Sequence, residues 1–231
     1  MMGSQFPVSD RNAYISTITG VREVALTGTA DLASWSARLR AVNLVPYNDN
    51  GRASLLLTAI EARFRGIPFR EMSISVVVSD DGGANVGGAY LAHAFNSSRL
   101  LAFAERAFFR TPYHLAVLTA TEQLPARIGV SASGRGLFEA RMGAKTTPIR
   151  REDPVFEGPI YLPGGEEVFY AHLSGSAEIY PFDSDDSVTI NPHPDAPIFA
   201  QLVETGFAGS EWMVRSDAIR ARSKTYKRTD Q

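Results

Sequence analysis

The chain contains no cysteine. That excludes disulfides, thiolate metal ligands and cysteine nucleophiles, and it fits a reducing compartment. Long apolar runs are also missing: no stretch approaches the roughly 20 apolar residues that a membrane helix needs. The opening Met1 to Tyr14 lacks a basic segment followed by an apolar one, so a signal peptide is not expected. Neither sign of charge dominates. Lys and Arg number 23 against 25 Asp and Glu, a net charge of −2. Such a balance argues against nucleic acid or an anionic membrane as partner. The expectation is a soluble, cytoplasmic protein whose partner is a small molecule.

What is present is globular. Over 231 residues, 44% are hydrophobic and 21% charged, enough for one sizeable core in a single domain spanning 1–231. No internal repeat and no composition break marks a linker. Short runs rich in apolar, aromatic or β-branched residues recur between Gly, Pro, Asp and Asn, and these read as strands. They are Leu55 to Phe64, Glu71 to Val78, Ala89 to Phe95, Tyr113 to Thr121, Arg127 to Val130, Gly136 to Met142, Glu167 to Leu173, Ser176 to Phe182 and Ser187 to Asn191. Strands at this spacing suggest a barrel or sandwich. Three segments read as helices. Thr29 to Val42 is capped by Asp31 or Thr29. Asn96 to Phe108 is capped by Asn96 or Ser97. Asp195 to Thr205 has Asp at the cap, Pro197 in the first turn and Gly206 past the end. The basic run Arg220 to Arg228 reads as a solvated tail or last strand edge.

Candidate chemistry begins at Glu71. Strand alternation puts Met72, Ile74, Val76 and Val78 on one face and Glu71, Ser73, Ser75 and Val77 on the other. In an open sheet the second face is wet. In a closed barrel it points into a polar-lined cavity, with the apolar face outward under helices. A carboxylate held there has its pKa raised by desolvation and serves as acid or base. Tyr113 and His114 point to opposite faces of the strand they begin. His114 is a proton carrier or a structural histidine; Tyr113 is a donor to a substrate carbonyl or core filling. Lys145 is an amine nucleophile if buried, and otherwise a strand end.

Other chemistries lack their signatures. His93, His172 and His193 have no ligand spacing, so no metal is expected. Asp183-Ser-Asp-Asp186 is a turn without the Gly and Glu of a calcium loop. Gly134-Arg-Gly136 is too short for a phosphate-binding fingerprint, and no Gly-x-Ser-x-Gly elbow occurs. No cofactor is expected.

Four stretches resemble the acetoacetate decarboxylase superfamily. They are FREMSISVVVS, GGAYLAHAFNSSRLLAFAERAFFRTPYHLA, EARMGAKTTP, and NPHPDAPIFAQL followed by EWMVRSDAIRA, together covering roughly residues 55 to 222. The resemblance implies a mainly β (α+β) fold: an antiparallel β-barrel with a few flanking helices, a central cavity and homo-oligomers. It places Glu71 on the family Glu beside the Schiff-base Lys, Arg106 on the family Arg and Pro112 on the Pro before that Lys. Tyr113 and His114 then stand where the two lysines belong, a second Glu falls near Leu56, and an Arg falls near Gly28. Imine chemistry is therefore not expected. The reading is a cofactor-independent, lyase-type enzyme with Glu71, Tyr113 and His114 as catalytic residues. Arg106, Ser73 and Lys145 are its substrate-binding candidates. The alternative is a non-catalytic barrel that lost its lysine and kept its cavity.

Overall fold

The structure is a computed structural model describing residues 14–228; residues 1–13, which carry most of the signal-peptide reading, lie outside the described residues. Seven strands close into a barrel. They are β1 (Tyr14–Asp31), β2 (Arg52–Phe64), β3 (Ile67–Ser79), β4 (Val86–Asn96), β5 (Phe156–Tyr161), β6 (Glu167–Ser174) and β7 (Ala208–Ser223). They succeed one another round the wall in chain order, and β7 pairs with both β6 and β1 to complete it. Neighbours are antiparallel except β4 and β5, which run parallel through Ile160 opposite Ala89. The mainly β barrel expected from the sequence is the fold observed. No helix among the described residues is long and apolar enough to cross a membrane.

The two longest strands, β1 and β7, are absent from the strand runs read in the sequence. Four register shifts interrupt their pairing and hide the alternation, and two of them bear on the charged residues. Val21 pairs with Ala218 and Glu23 with Arg215, so β7 carries one extra residue between them. Between Ile18 opposite Arg220 and Val21 opposite Ala218, the extra residue lies on β1, where Gly20 adopts φ +64°. Each bulge reverses the parity of residues that face inward.

The expected run Tyr113 to Thr121 divides. Tyr113–Leu115 joins β4 in parallel, while Val117–Thr121 opens a separate four-stranded sheet with Arg127–Ala132, Arg135–Arg141 and Ser187–Ile190. This sheet packs on the outside of the barrel. Met72, Ile74, Val76 and Val78 are buried in the layer between, with Ile128, Val130 and Phe138 facing them. Full burial of such side chains stabilises by roughly 1.5–3 kcal/mol each. The sequence reading placed helices over that face; a second sheet covers much of it, with α1 (Leu32–Arg40) adding Trp35 and Leu39 and α3 (Pro197–Glu204) adding Phe199 and Leu202 to the same core.

The helix boundaries shift by a few residues. In α1 (Leu32–Arg40), Asp31 is the cap, its Oδ1 accepting from the Ser34 N–H at 2.7 Å. In α2 (Arg99–Phe109) the cap is Ser98, because Asn96 is still the last residue of β4. In α3 no side chain caps the start, and Asp195 lies outside the helix.

Candidate active site

One row of register partners crosses the barrel wall. Arg215 stands opposite Glu23, Glu23 opposite Ile60, Ile60 opposite Glu71, and Glu71 opposite Asn96. Residues paired in register share a face, and all five line a central cavity of about 620 Å³. Ser73 and Ser75 follow Glu71 inward along β3. Of the two surroundings open to this face, the structure supplies the closed one. The cavity reaches the surface where Ile15 and Val155, both exposed, form part of its lining.

Ion pairs knit the charged part of the lining. Glu23, 2% exposed, accepts from Arg215 Nη1 at 2.7 Å and from Arg220 Nε at 3.1 Å. Arg220 Nη1 also lies 3.6 Å from Glu71 Oε1. Arg222 Nη1 donates to Glu105 Oε2 at 2.6 Å, and Thr111 Oγ1 donates to the same oxygen at 2.7 Å. Burial pushes the Glu71 carboxyl above its ordinary range; Arg220 and the Tyr113 hydroxyl pull it down without cancelling the rise. Tyr113 is held well above the usual phenol range by burial and by the charges of Glu71 and Glu105, so its hydroxyl stays protonated.

The structure gathers half of the residues expected from the sequence. Glu71, Ser73 and Tyr113 line the cavity together. His114, Arg106 and Lys145 do not. His114 follows Tyr113 on a strand, so it turns away and stacks on His93 with ring centroids 4.6 Å apart. Burial and the nearby Arg106 charge lower its pKa. Arg106 is exposed on α2, one residue past the inward-facing Glu105 and therefore about 100° round the helix. Lys145 sits at the second sheet, held by Asp183 at 3.0 Å and Asp186 at 2.5 Å. Those acids raise its pKa although burial alone would lower it. Lys224 and Lys227, the other lysines, are exposed, so no lysine lines the cavity.

Glu23, Arg215, Arg220, Arg222 and Glu105 were not anticipated. Arg220 and Arg222 belong to the run read as a solvated tail or last strand edge; they are on a strand, β7, but project inward from it. Their spacing of two was the available signal. Arg215 is out of step with them because of the β7 bulge. Leu56, near which the resemblance puts a second Glu, lines the cavity as a leucine. Gly28 has no room for an Arg: a Cβ there would lie 2.4 Å from the Ala208 carbonyl oxygen and 2.5 Å from the Phe207 ring.

Neither a family model nor a curated protein matches the chain. Solved structures do. Acetoacetate decarboxylase from Legionella pneumophila superposes with a TM-score of 0.62 at 13% identity, covering 98% of this chain and 94% of that one. The enduracididine biosynthesis enzyme MppR, complexed with the condensation product of pyruvate and imidazole 4-carboxaldehyde, gives 0.59 at 12%, covering 91% and 88%. An acetoacetate decarboxylase-like enzyme from Sphingomonas wittichii gives 0.56 at 12%, covering 93% of each chain. At these identities the likeness is one of fold: the chain has the acetoacetate decarboxylase-like fold, shared with enzymes.

Proposed function

We propose that this protein is a cofactor-independent enzyme that acts on a small carbonyl or carboxylate compound inside the barrel by acid–base chemistry at Glu71, without an imine. The observation that carries the reading is the Glu71 carboxyl itself, set in the cavity wall between Tyr113 and Arg220, in a lining that holds no lysine. A carboxylate with a raised pKa sits closer to neutral pH and is a better general base or acid there. The fold neighbours are enzymes, one of them complexed with a pyruvate-derived product, which supports a catalytic rather than a purely binding barrel.

The residues distribute the work as follows. Ionised Glu71 takes the proton from the carbon next to a substrate carbonyl. The electron pair moves onto the carbonyl oxygen, and the Tyr113 hydroxyl, kept neutral, donates a hydrogen bond to the charge developing there. Arg220 balances the carboxylate before the transfer. Protonated Glu71 then returns the proton to carbon or to a leaving oxygen. An enolate of this kind leads equally to isomerisation, dehydration or cyclisation. Loss of CO2 from a 3-oxo acid forms it directly, and Glu71 then supplies the proton.

The test does not require the natural substrate. Wild-type protein is incubated in D2O with a panel of ketones and 3-oxo acids, and exchange at the carbon beside the carbonyl is followed by NMR. Exchange by the wild type that falls by about 10²-fold or more in Glu71→Gln supports the reading. Equal exchange by both proteins, or none above buffer by the wild type across the panel, overturns it and leaves the non-catalytic binding barrel.

A further inference from the structure

Arg222 is the least satisfied charge in the cavity lining. Its Nη1 is engaged by Glu105, but Nε and Nη2 are buried without a hydrogen-bond partner among the described residues. Those two nitrogens form one edge of the guanidinium, the edge that grips a carboxylate with two parallel bonds. The same molecule shows the edge in use. There both nitrogens converge on one carboxylate oxygen: Arg70 Nε and Nη2 donate to Glu61 Oε2 at 2.9 and 2.7 Å, and Arg151 Nε and Nη2 donate to Glu178 Oε1 at 3.0 and 2.7 Å. Leaving buried donors unpaired costs roughly 1–3 kcal/mol, so an anion admitted to this edge, which is closed off from solvent in the structure, relieves that cost.

The surroundings keep the group in place. Its central carbon lies 4.5 Å from the Phe109 ring centre and 4.3 Å from that of Phe169. Rings stacked on a guanidinium restrain its plane but leave it free to turn within that plane. Among the described residues, the lining carries Arg65, Arg215, Arg220 and Arg222 against Glu23, Glu71 and Glu105, an excess of one positive charge inside a chain of net charge −2. A positive cavity in an acidic protein concentrates anions at its mouth.

Size and polarity narrow the ligand further. Pockets for drug-sized molecules span roughly 300–1,000 Å³, and 620 Å³ lies well inside that range. Most of the remaining lining is apolar, including Ile18, Ile60, Phe64, Phe69, Leu101 and Ile160. A short keto acid leaves most of this surface uncovered.

From these observations we infer that the cavity takes an amphipathic carboxylic acid, with its carboxylate on the Nε/Nη2 edge of Arg222 and an aryl or branched-alkyl body along the apolar wall. The inference rests on the reading of the barrel as the reaction chamber and adds the substrate class to it. Arg222 is a binding residue here, and Glu71 keeps the proton transfer.

Binding is tested with probes that cannot enolise at a ketone: 4-phenylbutyrate, butyrate and 4-phenylbutanol, titrated calorimetrically into the full chain. Phenylbutyrate is expected to bind about 30-fold more tightly than butyrate, the effect of burying one phenyl group, and about tenfold or more tightly than the alcohol, the effect of the charged fork. In Arg222→Gln the preference for acid over alcohol collapses while alcohol binding stays. Butyrate binding as tightly as phenylbutyrate, the alcohol binding as tightly as the acid, or no probe binding overturns the inference. Should Arg222→Gln fail to fold, the three wild-type affinities decide alone. Because no probe turns over, these outcomes are independent of whether Glu71 catalyses exchange.

Discussion

Arg220 Nη1 lies 3.6 Å from Glu71 Oε1, yet Nε of the same guanidinium is committed to Glu23 at 3.1 Å. One cation is thus divided between two carboxylates, and the nearer, more deeply buried one has the first claim. Glu71 stays above its ordinary range beside an arginine because burial outweighs the pull of Arg220, whose hydrogen bond goes to Glu23 and which approaches Glu71 only to 3.6 Å.

Replacing Glu23 by Gln therefore has two effects. Arg215 and Arg220 lose their shared carboxylate in a nearly water-free site, and removing one partner of a buried pair typically destabilises by about 3–5 kcal/mol. Urea unfolding measures that loss. In the fraction that remains folded, Arg220 turns fully to Glu71 and lowers its pKa. The pH profile of α-proton exchange then moves to lower pH, whereas a purely structural role for Glu23 changes its height and not its position.

The raised pKa of Glu71 also predicts how stability depends on pH. The carboxyl binds its proton more tightly folded than unfolded, so from its ordinary value of about 4.5 upward the folded state holds more protons than the unfolded chain. Stability then falls as pH rises until the folded group has titrated, and is level beyond that point. Glu71→Gln removes this slope. Unfolding free energies taken from pH 4.5 upward are expected to decline in the wild type more steeply than in the variant; parallel curves contradict the assignment.

No imine is expected. Borohydride added to wild-type protein with saturating acetoacetate should leave the mass unchanged, since Lys145 is tied to Asp183 and Asp186 away from the cavity and the other lysines are exposed. Lys145→Met is a stability variant. It strips the cation from Asp186, whose side chain is wholly shielded, and should destabilise by about 3 kcal/mol with no effect on exchange.

Gly28 offers a further check on the departure from the decarboxylase pattern. A methyl group there meets the Ala208 carbonyl oxygen and the Phe207 ring well inside contact distance. Gly28→Ala is expected to lower the unfolding midpoint, by an overpacking cost of about 1–3 kcal/mol. An unchanged midpoint would show that β7 yields easily at that point.

How far the sequence speaks depends on which force shapes each segment. Around Glu71 a single alternation runs from Met72 to Val78 without interruption, so strand and inward face were legible together. Tyr113 and His114 were placed on opposite faces by the same rule, and the structure puts one in the cavity and the other outside it. Arg106 was misplaced because a resemblance names a position without saying which way its side chain points on α2. Arg220 and Arg222 were missed for a different reason. Charges at alternate positions look wet until the sheet closes, and closure is set by pairings between the two ends of the chain, which local patterning does not reveal. Arg215 was out of reach for sequence patterning, since its face depends on a bulge.

That bulge carries an evolutionary consequence. Ser216 and Asp217 lie between Arg215 and Ala218, where β7 has one residue more than β1. Plain alternation from Arg215 would send residues 217, 219 and 221 inward; the extra residue hands those places to Ala218, Arg220 and Arg222. Deleting Ser216 or Asp217 would straighten the strand and leave both arginines inside, so the charge of the cavity would survive a three-base loss at that point. A swap of the inward set would instead need the bulge to be lost with every residue kept.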